Sequence, residues 1–225
     1  MEQIFVMLIV SYFVVLTLAL FLLKRDSKKY LSAVFKSGSI LMIMVGMLFS
    51  LLGLGLWYLI SFLLGSRFEF VSSTISRDYK NYAFYSLPLA SVLYLAFSVF
   101  GAFAEEVAYR GYVQTRISSK YGYIVGILVS ALFFSLQHIH IFELNWMEHF
   151  FQTQFIHALL VGILAGYLFF KTKENIWSVF AFHAVSNIFS VSVPIIVIPT
   201  FQFANQLTEI ASFTVMTLLL RLSKL

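Results

Sequence analysis

Residues 87–103, Leu-Pro-Leu-Ala-Ser-Val-Leu-Tyr-Leu-Ala-Phe-Ser-Val-Phe-Gly-Ala-Phe, run without a charge into Ala104-Glu105-Glu106-Val107-Ala108-Tyr109-Arg110-Gly111. An apolar run of this length that closes on two carboxylates and an arginine reads as a membrane-spanning helix carrying ionisable groups at depth. Such groups are expensive near lipid and usually persist because they do something. Each α-helical residue advances by roughly 100°, so Glu106 and Arg110, four apart, share a face and can pair. Glu105 points about 100° away from Glu106 and is left free of that pair. One glutamate can therefore be structural while the other is available for chemistry. The alternative is an ordinary ion pair at a helix end with a spare solvated Glu.

Composition extends this reading to the whole chain. Of 225 residues, 60% are hydrophobic and 11% charged, against about 25% charged in a soluble domain. Apolar runs of helix-spanning length recur, and the alternating ~10-residue strands of a membrane barrel do not. The expected fold is an all-α, polytopic transmembrane helix bundle of about seven spans. It forms a single integral membrane domain over residues 1–225, with a core at 84–193. There is no cysteine, which excludes disulfides and thiolate metal sites. Ile4–Leu23 is too long for a signal-peptide core and lacks a basic leader, so it reads as a retained first span.

The remaining spans are expected at about Ser39–Leu64, Phe84–Arg116, Tyr121–His140, Phe155–Phe170, Ile176–Val193 and Phe201–Leu220. Gly122 and Gly126, like Gly162 and Gly166, have the spacing of small-residue packing faces. Ser66–Lys80 reads as an external loop and residues 141–153 as interfacial. With the N-terminus outside and the C-terminus cytoplasmic, 12 basic residues fall inside and only Arg67, Arg77 and Lys80 outside. That split follows the positive-inside rule and absorbs the net charge of +5, so nucleic acid is not an expected partner.

Other polar residues lie inside the expected spans. Phe134 and His138 share a helix face, as do His183 and Asn187. A single buried histidine is more often a satisfied helix–helix partner than a catalyst. A free glutamate, two histidines and an asparagine on three spans are instead the inventory of an acid–base site. His140, His149 and His157 read as structural or interfacial. One feature strains this closure. With the cytoplasmic edge near Arg116 to Tyr121, Glu105 is about 11 residues deep and His183 about 7, whereas His138 is about 17, or ~25 Å along a straight helix at about 1.5 Å per residue. Span 4 must start late, tilt strongly, or be preceded by a segment at Lys120-Tyr121-Gly122 that projects into the cytosol.

Glu105-Glu106-x-x-x-Arg110, Phe134-x-x-x-His138 and His183-x-x-x-Asn187, in this order, resemble the CPBP family. That family comprises CAAX-type prenyl endopeptidases and the bacteriocin-processing or bacteriocin-immunity Abi proteins. Each motif is loose alone; three together in a polytopic chain are specific. The resemblance covers residues 105–187. It implies an intramembrane endopeptidase of glutamate type, acting on a membrane-proximal, lipidated or small secreted peptide. Glu105 would be the general base for a water that His138 helps to hold, and His183 and Asn187 would donate to the oxyanion. Glu106, Arg110 and Phe134 would support the site. No cofactor is expected. Glu plus two His is also a zinc inventory, but no His-Glu-x-x-His helix occurs.

Two other functions use the same residues. A non-catalytic self-immunity or scaffold protein could keep the cluster to stabilise its bundle or bind a partner. A proton-coupled transporter could use Glu and His as a relay, although no inverted repeat or pair of broken helices is evident. Four intact site residues favour catalysis. Phe-, Ile- and Lys-rich composition without cysteine points to a bacterial plasma membrane. The expected partners are the bilayer and a peptide or lipidated-protein substrate; the oligomeric state is not written in the chain.

Overall fold

The structure is a computed structural model that describes residues 2–26, 39–70, 87–138, 154–192, 195–198, 204–223 and 225. Its helices are α1 (Glu2–Asp26), α2 (Ser39–Leu63), α3 (Leu87–Glu106), α4 (Thr115–Tyr121), α5 (Tyr123–Leu136), α6 (Gln154–Lys171), α7 (Ile176–Ser192) and α8 (Ala204–Leu222). A π-helical segment, Val107–Gln114, joins α3 to α4. Two short strands, β1 (Arg67–Phe70) and β2 (Ile195–Ile198), pair antiparallel with Arg67 opposite Ile198. The helix bundle is the fold expected. The ribbon corrects one expectation, since the start of the Ser66–Lys80 segment is a strand. Residues 71–86, the 141–153 segment, His140, His149, Lys28, Lys29, Lys36 and Pro194 lie outside the described residues.

The bundle buries a set of polar side chains beneath an apolar exterior. Arg110, Glu106 and Gln114 are at most 1% exposed, whereas Ile40 is 78% and Ile124 76% exposed. Water would favour the reverse; lipid accepts an apolar exterior and forces polar groups to find partners within the protein. By length and composition, Ile40–Leu63 is a candidate membrane span, and Tyr123–Leu136, Phe155–Lys171 and Ile176–Phe189 are shorter apolar helices. The chain is a membrane protein.

The packing follows the small residues. Helix α7 makes its most extensive contacts with α2. The two run parallel, because Gly46 abuts the Ser178 backbone and, further along both helices, Ser50 and Ser186 share a 2.8 Å hydrogen bond. Helices α5 and α6 run antiparallel, with Gly162 against Ala131 and Gly166 against Ile127. A shared apolar cluster includes Leu23, Phe49, Leu168, Phe182 and Met216, drawn from five helices. At one end of the bundle Lys171 Nζ donates to the Ser223 carbonyl at 2.8 Å, and Tyr123 packs on Phe170 with ring centroids 4.3 Å apart. The 120s, 170s and 220s therefore meet there.

Gly122 resolves the problem of depth. It ends α4 and precedes α5 with φ 88° and ψ 160°, a conformation essentially reserved for glycine. Among the described residues no atom lies within 4 Å of where its Cβ would sit, so it is a turn and not the packing residue expected with Gly126. Helix α4 carries the chain on to Tyr121 before the turn. Glu105 lies 17 residues before Gly122 and His138 16 after it. Two arms of nearly equal length folded back on one another place their far ends at a similar depth.

Candidate active site

The site begins where α3 gives way to the π-helical segment. A π-turn bonds i to i+5, is rare, and is found disproportionately at functional sites. The spacing argument expects regular helix through Arg116, so this is a correction. The Glu106–Arg110 pair survives it: Arg110 Nη1 donates to Glu106 Oε1 at 2.9 Å, with the two side chains 0% and 1% exposed. Arg110 is thus a core residue and not one of the loop charges counted towards the inside. Its Nη2 donates to the Gly162 carbonyl at 3.1 Å, and its guanidinium carbon lies 4.6 Å from the centroid of the Phe134 ring.

Gln114 repeats the pattern one turn on, donating from Nε2 to the Gly166 carbonyl at 2.9 Å. Residues 110 and 114 thus meet carbonyls 162 and 166 like two rungs. The glycines on α6 leave those carbonyls uncovered by side chains, so long polar residues of the π-helical segment can reach them. Ser130 Oγ adds a 2.8 Å bond to the Tyr109 carbonyl, tying α5 to the same segment. Gln114 and Ser130 did not figure in the sequence reading. The match between the 110/114 and 162/166 spacings was the available signal.

Helix α7 brings in the histidine. Asn175 caps it, its Oδ1 accepting the Trp177 N–H at 3.0 Å, and Ser178 Oγ bonds Thr172 Oγ1 at 2.8 Å to fix the preceding turn. Two turns along, buried His183 sits with Nδ1 2.8 Å from Glu106 Oε1 and Nε2 3.7 Å from Glu105 Oε2. The two carboxylates are therefore not segregated as the 100° separation suggests. One imidazole, with nitrogens on opposite edges, spans both. Glu106 Oε1 receives both Arg110 and His183, while Glu106 Oε2 is buried without a hydrogen-bond partner among the described residues.

Phe134 is the hub of the aromatic packing. It meets His138 at 4.7 Å, Tyr109 at 5.6 Å and His183 at 5.7 Å between ring centroids. His138 Nδ1 lies 2.8 Å from the Phe134 carbonyl. A carbonyl only accepts, so Nδ1 carries a proton, and in the neutral ring Nε2 is then the acceptor. Tyr109 donates its hydroxyl proton to Gln137 Oε1 at 2.7 Å beside this pair. Asn187 Nδ2 donates to the Ser98 carbonyl at 3.3 Å. Ser98 is seven residues before Glu105 and Asn187 four after His183, so the contact aligns the polar faces of α3 and α7.

The structure thus brings Glu105, Glu106, Arg110, Phe134 and His183 into one buried cluster. His138 joins it through Phe134, and Asn187 lies one turn from His183. His157, read from the sequence as structural or interfacial, faces Glu209 of α8 with Nδ1 and Oε1 3.4 Å apart. Among the described residues, no group of three or more His, Asp or Glu could hold a metal ion.

Residues 87–189 match the family model described as type II CAAX prenyl endopeptidase Rce1-like. The matched segment contains all three motifs and every residue of the cluster. No curated protein matches the chain.

Proposed function

The chain belongs to the CPBP family through residues 87–189, and from that premise we propose that it is an intramembrane endopeptidase of glutamate type. The family is one of CAAX-type intramembrane proteases. The observation that supports the reading for this chain is the buried Glu105–His183–Glu106–Arg110 array, built from α3, the π-helical segment and α7 inside an apolar exterior.

In this reading Glu105 removes a proton from a water that attacks the scissile carbonyl. The 3.7 Å between Glu105 Oε2 and His183 Nε2 exceeds a direct hydrogen bond and suits a bridging water. His138 helps to hold the attacking water through Nε2, its Nδ1 being committed to the Phe134 carbonyl. Asn187 and His183 donate to the oxyanion, and each such donor contributes on the order of 10²–10³ in rate by analogy with other amide hydrolases. Glu106, Arg110 and Phe134 hold the frame. No step requires a cofactor. The substrate is a membrane-proximal, lipidated or small secreted peptide entering from the cytoplasmic side or the bilayer. The setting is a plasma membrane with the N-terminus outside, and residues 1–225 act as one domain around a core at 84–193.

The test complements a knockout strain with wild type, Glu105→Gln and His138→Ala at matched membrane levels, and reads peptide termini by mass spectrometry. Peptides that vanish for both variants while the protein stays folded are the expected result, and they name the substrate. If Glu105→Gln leaves every terminus and phenotype unchanged, the non-catalytic immunity or scaffold function replaces this one.

A further inference from the structure

We infer that Glu106 fixes the tautomer of His183, so that His183 becomes an oxyanion donor only after it has received the proton that Glu105 takes from water. The inference rests on the endopeptidase reading and deepens it. Glu106 Oε1 accepts Arg110 Nη1 at 2.9 Å and lies 2.8 Å from His183 Nδ1. An ionised carboxylate already bound to a guanidinium offers no proton, so the short contact places the hydrogen on Nδ1. The arrangement is that of a carboxylate orienting a catalytic histidine.

The neutral ring then has no proton on Nε2, the nitrogen that faces Glu105 at 3.7 Å. In that state Nε2 accepts and cannot polarise a substrate carbonyl. The proton inventory of the reaction changes this. The water oxygen forms its bond to the scissile carbon as one water proton passes to Glu105, and Glu105 hands that proton to Nε2, directly or through one water. Nε2–H now donates to the oxyanion that the same attack has created. When the C–N bond breaks, the proton moves from Nε2 to the departing amide nitrogen. A carboxylic acid and a free amine leave, and Glu105 and His183 return to their starting forms.

The consequence is selective. A donor present from the start would bind the substrate carbonyl and the transition state alike, and only the difference between them accelerates the chemical step. A donor that appears with the charge acts on the transition state alone. Glu106 and Arg110 are positioning residues here: they contact neither the attacking water nor the scissile carbonyl in this scheme, and they act through the state of His183.

The test is ¹⁵N NMR of histidine-labelled full-length protein in nanodiscs, with the His183 signals assigned by their loss in His183→Gln. The expected result for wild type is a protonated Nδ1 and an unprotonated Nε2. In Glu106→Gln the carboxamide can donate to Nδ1, moving the proton to Nε2. Cleavage of the peptide identified by the terminus experiment is then expected to lose on the order of 10²–10⁴ in kcat with KM within about twofold, as befits a group acting only in the transition state. A neutral wild-type His183 with its proton on Nε2 overturns the inference without any variant. So does a Glu106→Gln protein with shifted tautomer and unchanged kcat. Because the tautomer is read without substrate, failure here is distinct from failure of the peptidase reading, which Glu105→Gln decides.

Discussion

Arg110→Met should destabilise the protein by about 3 kcal/mol, about a hundredfold in the ratio of folded to unfolded protein. Arg110 is fully buried and makes three contacts: Glu106 at 2.9 Å, the Gly162 carbonyl at 3.1 Å, and the Phe134 ring at 4.6 Å. Removing one partner of a buried ion pair typically costs 3–5 kcal/mol, chiefly because the other charge is left uncompensated. The lower end applies here, since Glu106 Oε1 keeps His183 Nδ1 at 2.8 Å. Methionine retains most of the aliphatic volume, so the loss reports the charge and not a cavity. The assay is reversible unfolding in mixed micelles, followed by circular dichroism, on wild type, Arg110→Met, Glu106→Gln and the double variant. The double variant should be more stable than Arg110→Met, because it removes the stranded carboxylate. A loss under about 1 kcal/mol with no coupling in the cycle would refute the claim that the pair is buried and mutually dependent.

Three further outcomes can be read by the same unfolding assay. Gly46→Ala places a Cβ onto the backbone carbonyl of Ser178, which cannot rotate away, so α2 and α7 must separate; a loss of about 1–3 kcal/mol is expected, and a neutral result would mean the helices do not cross there. Gly122→Ala meets no atom of the described residues within 4 Å but must adopt φ 88° and ψ 160°; the expected cost of about 1–3 kcal/mol is conformational, and a wild-type midpoint would exclude the turn. Asn175→Ala removes the α7 cap on the Trp177 N–H and should cost about 1 kcal/mol, with Asn175→Asp retaining most of it.

The amino-acid sequence by itself determined what depends on neighbours along the chain and on the solvent. Apolar runs too long and too uncharged for a soluble domain made the fold a helix bundle in lipid. Four-residue spacing made Glu106 and Arg110 partners, and placed Phe134 with His138 and His183 with Asn187 on common faces, because those relations follow from helix periodicity alone. The Gly162 and Gly166 spacing likewise announced a close helix contact. The tertiary structure decided which faces meet. Whether Glu105 stands apart from Glu106 depends on a side chain 77 residues away, and His183 joins the two through opposite edges of one ring. The glycines' role as carbonyl acceptors for Arg110 and Gln114 required α6 to lie against the π-helical segment, a winding no i, i+4 count reveals. The depth of His138 depended on where the chain turns. Periodicity measures distance along a helix but does not say that Gly122, and not an earlier residue, lets the chain reverse.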